Sequence, residues 1–264
     1  MAKPFVYTNL WVSAAVFAAT WFTCEIAGVS INYAIFNVGG VLIVYGFARR
    51  FKGPAVDAAD ESEATQWHKS FPWSVSLTMM LGLALVVYGA LMLPVEAMYG
   101  YALAAIPSFL YPVTFISKGE MRSLRSVPGL KLIIISCIWG YTIGIVPQMG
   151  LENIRWSLFW DRLFFTAALT IPFDVRDHNV DHPNLKTVPV LLGDYNALWF
   201  ANALLWLSYA IQTMLLKGPV FELTITYVII AAFILLSYPK RRDFHYVFWL
   251  EGAPWLILAA WNLL

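Results

Sequence analysis

The chain has 264 residues, 60% of them hydrophobic and 12% charged, with a net charge of +1 and a mean hydropathy of +0.66. Soluble domains carry about a quarter charged residues, so half that share places the chain in the membrane class, and the near-neutral balance excludes a nucleic-acid partner. Cys24 and Cys137 lie in separate apolar stretches, where a packing role fits better than a disulfide framework or a metal site.

A hydrocarbon core about 30 Å thick takes roughly 20 helical residues to cross. In chain order, uncharged apolar stretches run over 5–24, 29–48, 71–93, 97–117, 132–151, 195–216 and 223–239. Two more, 156–173 and 244–264, are interrupted by Asp161 with Arg162 and by Glu251. These predict an all-α integral membrane protein with nine transmembrane helices in a single domain, 1–264. Lys3 precedes an apolar run longer than a signal-peptide core, so the first span is read as retained.

The basic residues set the orientation. Lys3, Arg49, Arg50, Lys52, Lys69, Lys118, Arg122, Arg125, Lys131, Arg176, Lys186, Lys240, Arg241 and Arg242 fall on one side, fourteen of the 17 Lys and Arg. Arg155 and Lys217 fall opposite, and Arg162 lies within a span. The positive-inside rule then puts the N-terminus and the longer loops at 49–70, 118–131 and 174–194 in the cytoplasm. Long polar loops on one face are where chemistry is usually placed.

In the last of those loops stand Asp174, Asp177 and Asp181. On a helix, positions i, i+3 and i+7 share a face, so three carboxylates converge at a membrane surface. Like charges repel and raise one another's pKa, and a helix C-terminus makes this worse. A hard divalent cation with oxygen ligands relieves the repulsion, and Mg²⁺ usually brings a phosphate-bearing substrate. The plain alternative is a solvated, helix-capping loop.

The segment Asp174-Val-Arg-Asp177-His-Asn-Val-Asp181, followed by Lys186-Thr-Val-Pro-Val-Leu-Leu-Gly193, resembles the second aspartate motif, DxxDxxxD, and its downstream tail in the UbiA superfamily of intramembrane prenyltransferases. The Arg176-Asp177 and Asp181 core is most similar to the menaquinone-type branch. Tyr111-Pro112, then Lys118, Arg122 and Arg125, resemble that superfamily's loop after the fourth span. The resemblance implies a UbiA-like helical bundle with a cytoplasm-facing cavity. It also implies Mg²⁺-dependent transfer of an isoprenoid from its diphosphate to a hydrophobic, aromatic or quinone-precursor-like acceptor. Asp174, Asp177 and Asp181 would be catalytic metal ligands, with Lys118, Arg122, Arg176, Lys186 and Arg49 binding diphosphate.

The departure is at the first motif. Where the superfamily has NxxxDxxxD, this chain has Tyr45-Gly-Phe-Ala-Arg49-Arg50-Phe51. Three readings stand. Arg49 or Arg50 neutralises diphosphate directly, as a guanidinium fork can; Asp57, Asp60, Glu61 or Glu63 folds back as a surrogate ligand; or the fold binds a lipid without turning it over. The last gives the competing function, a non-catalytic protein that binds an isoprenoid or quinone lipid or serves as a subunit of a membrane complex. The remaining signals have plain readings. Topology alone demands the cytoplasmic bases, Asp161 and Arg162 pair structurally, Asn32 and Asn37 bond between helices, and the four histidines lack metal-ligand spacing.

Overall fold

The computed structural model describes residues 3–51, 63–117, 120–123, 129–177, 187–239 and 241–262. After a short α1 (Lys3–Tyr7) come α2 (Leu10–Ala27), α3 (Asn32–Phe51), α4 (Glu63–Ser70), α5 (Trp73–Met92) and α6 (Val95–Leu110). A hairpin, β1 (Thr114–Ser117) and β2 (Glu120–Ser123), precedes α7 (Leu130–Trp139), which continues through a π-helical turn to Ile145 and a 3-10 turn to Gln148. Then follow α8 (Trp156–Asp177), a short α9 (Val188–Leu192), α10 (Asp194–Ala210, with a π-helical end to Leu215) and α11 (Val220–Leu235). A π-helical segment, His245–Leu250, and α12 (Ala253–Asn262) complete the order.

The punctuation of these helices is readable locally. Pro94 and Pro219 stand just before α6 and α11, where a missing N–H costs nothing. Gly28 ends α2 in the left-handed region, φ 69°, and its N–H returns to the carbonyls of Cys24 and Glu25. Among the described residues, four helical stretches are long and apolar enough to cross a membrane: Leu10–Ala27, Trp73–Met92, Leu130–Gln148 and Asp194–Leu215. Val95–Leu110 and Val220–Leu235 are shorter apolar helices. The chain is an integral membrane protein.

One predicted boundary is corrected. The stretch 97–117 is not helical throughout: α6 stops at Leu110, and Thr114–Ser117 pairs antiparallel with Glu120–Ser123, Phe115 opposite Arg122. Pro112 cannot continue the helix, and the β-branched and aromatic run Val113-Thr-Phe-Ile favours an extended backbone.

The main core is built from α2, α8, α10, α11 and the last span. Ala18, Phe22, Phe165, Ile171, Leu198, Leu205, Tyr227 and Ile230 are all buried there. First and last spans are neighbours: Trp11 stacks on Phe248 at 4.9 Å and donates Nε1–H to its carbonyl at 3.1 Å. Helix α5 is peripheral and held to α3 by glycines seven residues apart on each helix. A Cβ at Gly39 would stand 2.6 Å from the Gly82 carbonyl oxygen, and one at Gly89 would strike Phe36 at 2.9 Å. Small residues let backbones approach closely where lipid removes the hydrophobic drive between helices. The opposite face of α5, with Met80 and Leu91, is exposed, as expected of a side that meets lipid.

Candidate functional site

The last turns of α8 carry Asp174, Arg176 and Asp177, after an internal Pro172. Asp174 and Asp177 are one turn apart on one side of the helix, as their spacing requires, yet they hold different partners. Asp174 is buried, its carboxylate in an ion pair with Lys131 at the start of α7. Asp177 is partly exposed and takes two hydrogen bonds from Arg176, Nε at 2.7 Å and Nη2 at 3.1 Å. A second acid, Asp243, lies 4.0 Å from Arg176 Nη1. The guanidinium also sits 5.2 Å from the Phe173 ring centre and 5.6 Å from that of Tyr246. A planar, delocalised cation suits this mixed wall of carboxylate and aromatic face.

Across the site, α3 brings Tyr45 and Arg49, one turn apart. Arg49 Nη2 donates to the Tyr7 carbonyl at 3.3 Å and to Asn9 Oδ1 at 3.0 Å. Asn9 adopts the left-handed region, φ 63°, which its short polar side chain tolerates. His68 Nε2 donates to the same Tyr7 carbonyl at 2.7 Å, so α1 is tied down by two side chains. Burial, and after it the nearby Arg49 charge, lowers the His68 pKa below its ordinary value, against the favourable bond to Tyr7. Arg50 is elsewhere: its Nη2 donates to Ser76 Oγ on α5 at 2.7 Å, on the exposed outside. Of the two arginines at the first-motif position, only Arg49 reaches the site.

Glu251 joins them from the last span. It lies within electrostatic reach of Arg49, Arg176 and Tyr45, and Tyr45 in turn is within reach of Tyr111 at the end of α6. Tyr45, Arg49, Tyr111, Arg176 and Glu251 come from four parts of the bundle and all keep some accessible surface. They therefore gather at this end of the bundle with part of each residue still accessible.

The remaining predicted residues are placed as follows. Arg122 is in β2, its backbone opposite Phe115. Lys118, Arg125, Asp181 and Lys186 lie outside the described residues, as do Asp57, Asp60 and Glu61; Glu63 opens α4. Among the described residues no three acidic, histidine or cysteine side chains form a metal-sized group. Sequence reasoning missed three participants. Lys131 was counted only as a topological base, although a lysine opening an apolar span near an aspartate motif is a signal. Asp243 gave none, and Glu251 was noticed without a role.

A second ionic cluster occupies the other end of α8. Asp161 and Arg162 are buried and paired at 3.2 Å. Asp161 also accepts from Ser208 at 2.5 Å and from Gln212 at 3.1 and 3.2 Å, and Ser208 meets Tyr227 at 2.8 Å. Arg162 reaches Thr23 at 3.3 Å and stands 4.3 Å over the Phe22 ring. The expected structural pairing is present. So is the interhelical role of Asn37, which donates to Thr20 at 3.1 Å and the Thr142 carbonyl at 3.2 Å.

No protein-family model and no curated protein matches the sequence. Solved structures do match over nearly the whole chain. A UbiA homologue from Aeropyrum pernix K1 is 14% identical, with 96% of each chain covered and a TM-score of 0.62. A UbiA homologue from Archaeoglobus fulgidus bound to GPP and Mg²⁺ is 15% identical, with 98% of this chain and 97% of that one covered and a TM-score of 0.59. A digeranylgeranylglyceryl phosphate synthase is 15% identical, with 99% and 98% covered and a TM-score of 0.50. The protein described here has the fold of these UbiA homologues.

Proposed function

From this fold and the chemistry at the end of α8, we propose that the chain is a membrane prenyltransferase. It moves an isoprenoid chain from its diphosphate to a hydrophobic acceptor, with nine crossings and the site on the cytoplasmic side. The observation that carries the reading is the set Asp174, Arg176, Asp177 and Lys131, acidic ligands interleaved with cations, in a fold shared with a protein bound to GPP and Mg²⁺.

The donor set suits one hard cation. Asp174 and Asp177, followed by Asp181, offer carboxylate oxygens of the kind Mg²⁺ prefers; at the first-motif position α3 offers Arg49 and no carboxylate. When bound, Mg²⁺ takes up negative charge on the departing diphosphate. Lys131 and Arg176 pair with these carboxylates and would be placed to pair with phosphate oxygens were the carboxylates to hold a metal. Arg49 supplies the charge that a second metal would otherwise bring, and a guanidinium fork matches phosphate oxygens in pairs. Lys118, Arg122 and Lys186 complete the diphosphate site in this reading. Tyr45, Tyr111 and Phe173 give this end part-accessible aromatic rings, which would shield an allylic cation from water and stabilise it through their faces.

One observation favours the alternative of a non-catalytic lipid-binding or complex-forming protein: Arg49 is already bonded to Tyr7 and Asn9. Binding of geranylgeranyl diphosphate to purified protein, with and without Mg²⁺, separates the two. The enzyme reading expects Mg²⁺-dependent binding that Asp177→Asn weakens by tenfold or more. Binding indifferent to both metal and substitution would select the alternative.

A further inference from the structure

The Asp161 end of α8 holds two polar atoms that its own network leaves over. Asp161, Arg162, Ser208, Gln212 and Tyr227 meet there, and none is more than 2% exposed. The carboxylate is fully engaged. Its Oδ1 accepts from Ser208 Oγ and from Gln212 Nε2, and its Oδ2 accepts from Gln212 Nε2 and from Arg162 Nη1. Ser208 gives its one proton to that bond, so the Tyr227 O–H donates to Ser208 Oγ. Arg162 Nε donates to Thr23 Oγ1, whose own proton goes to the Ala19 carbonyl at 3.3 Å. Among the described residues, Arg162 Nη2 and Gln212 Oε1 have no hydrogen-bond partner, although both atoms are buried.

Neither atom is satisfied by turning its own group. Reversing the Gln212 amide would set its oxygen against the carboxylate and lose both donated bonds. Rotating the guanidinium would give up Asp161 or Thr23. Unpaired polar atoms are costly in an apolar interior, and native structures nearly always match them with protein or ordered water. The two atoms also belong to one place. Nη2 shares Cζ with Nη1, Oε1 shares Cδ with Nε2, and Nη1 and Nε2 both bond to Asp161 Oδ2.

We propose that this cluster is a binding site for one ordered water molecule, which accepts from Arg162 Nη2 and donates to Gln212 Oε1. The two atoms select the ligand. An anion would meet Gln212 Oε1 and the Asp161 charge, and a metal cation would meet the guanidinium. A neutral molecule that both accepts and donates matches, and enclosure by residues this buried restricts it to the size of water. Buried waters make about three hydrogen bonds to polar groups that would otherwise go unmatched. Gln212 lies in the π-helical end of α10, where the Gly218 N–H holds its carbonyl at 2.9 Å. Such π-helical turns are frequent at functional sites. Here the turn carries Gln212 onto α8, and the water extends that tie to the guanidinium. The site stands independently of the prenyltransferase reading.

The test is radiolytic labelling of the purified full chain in detergent. A short X-ray pulse makes hydroxyl radicals from bound as well as bulk water, and mass spectrometry locates the oxygen they add. Phe22, whose ring lies 4.3 Å from Arg162 Cζ, and Tyr227 are the reporters, both buried from bulk solvent. The wild type is expected to be labelled at both. The triple variant Asp161→Leu, Arg162→Met, Gln212→Met removes every polar partner of the water, and apolar replacement of a buried ion pair is usually tolerated. Its label at Phe22 and Tyr227 should fall to background while buried Tyr246, near Arg176, stays unchanged. A rise at Tyr246 would show that the variant is misfolded, and the wild type then decides through a density map that resolves ordered water. A peak within hydrogen-bonding distance of both Nη2 and Oε1 supports the site. Absence of label in the wild type, undiminished label in a folded triple variant, or a map in which Nη2 bonds Oε1 directly would each overturn it.

Discussion

Helix α8 carries an acid and an arginine near each end, and the two ends use them differently. At Asp161 and Arg162 the carboxylate is enclosed by an arginine, a serine and a glutamine from α8, α10 and its π-helical end. At Asp174, Arg176 and Asp177 each charge has a partner, but Arg176 and Asp177 remain partly exposed while Asp174 is buried. The sealed cluster adds specificity to the packing of spans that otherwise meet through interchangeable apolar faces. In the proposed function the open cluster holds charge for a ligand. The contrast lies in the surroundings: polar neighbours on facing helices close one site, and partial exposure of Arg176 and Asp177 leaves the other open.

The largest expected effect is at the sealed end. Arg162→Met leaves Asp161 buried without its cation and should cost about 3–5 kcal/mol, the scale for breaking a buried pair. Thermal unfolding in detergent reads it, and the double variant Asp161→Leu, Arg162→Met should recover most of the loss. A mild effect of Arg162→Met alone would remove the distinction between the clusters.

Lys131→Met should be nearly as damaging, because Asp174 is equally buried. Its pairing with Asp174→Leu sharpens the comparison: stability returns, whereas Mg²⁺-dependent diphosphate binding does not. At Asp177, which is partly exposed, substitution by Asn should change stability by only about 0.5 kcal/mol, while diphosphate binding falls as stated above.

The smallest effect is a pH dependence from His68. Its folded pKa lies below the ordinary 6.5, so the unfolded chain takes up the proton first as pH falls. The contribution is fully present above pH 6.5 and is lost as pH falls from there through the folded value. Melting temperature measured between pH 7.5 and 5 should decline in the wild type, with a shallower slope in His68→Gln.

Much of this was legible in the residues. The apolar stretches located most of the helices, the DxxDxxxD spacing pointed to the end of α8 where Asp174, Arg176, Asp177 and Lys131 gather, and Arg49 and Arg50 marked the departure from the first motif of the superfamily the sequence resembles. What was hidden depends on contacts between distant segments. Lys131 and Asp174 are 43 residues apart and meet only because α7 packs on α8. The Thr114–Ser123 hairpin was absorbed into a span because hydropathy does not distinguish an apolar strand from an apolar helix. The break at Glu251 arises from backbone geometry that no hydropathy window registers. Arg49 and Arg50, adjacent in sequence, diverge because neighbouring residues on a helix point about a quarter-turn apart.

The adjacency of the first and last spans bears on how the protein is made. Trp11 and Phe248 stack, and Asn262 donates to Glu25 at 3.2 Å near the opposite end of the same pair. In chain order α2 precedes the other apolar helices of the described residues, and its neighbour is synthesised after all of them. Until then the face of α2 that carries Trp11 lacks its protein partner and this end of the bundle lacks Glu251. A nascent chain halted before this span would leave the contact face of α2 uncovered, a surface the finished molecule buries against Phe248.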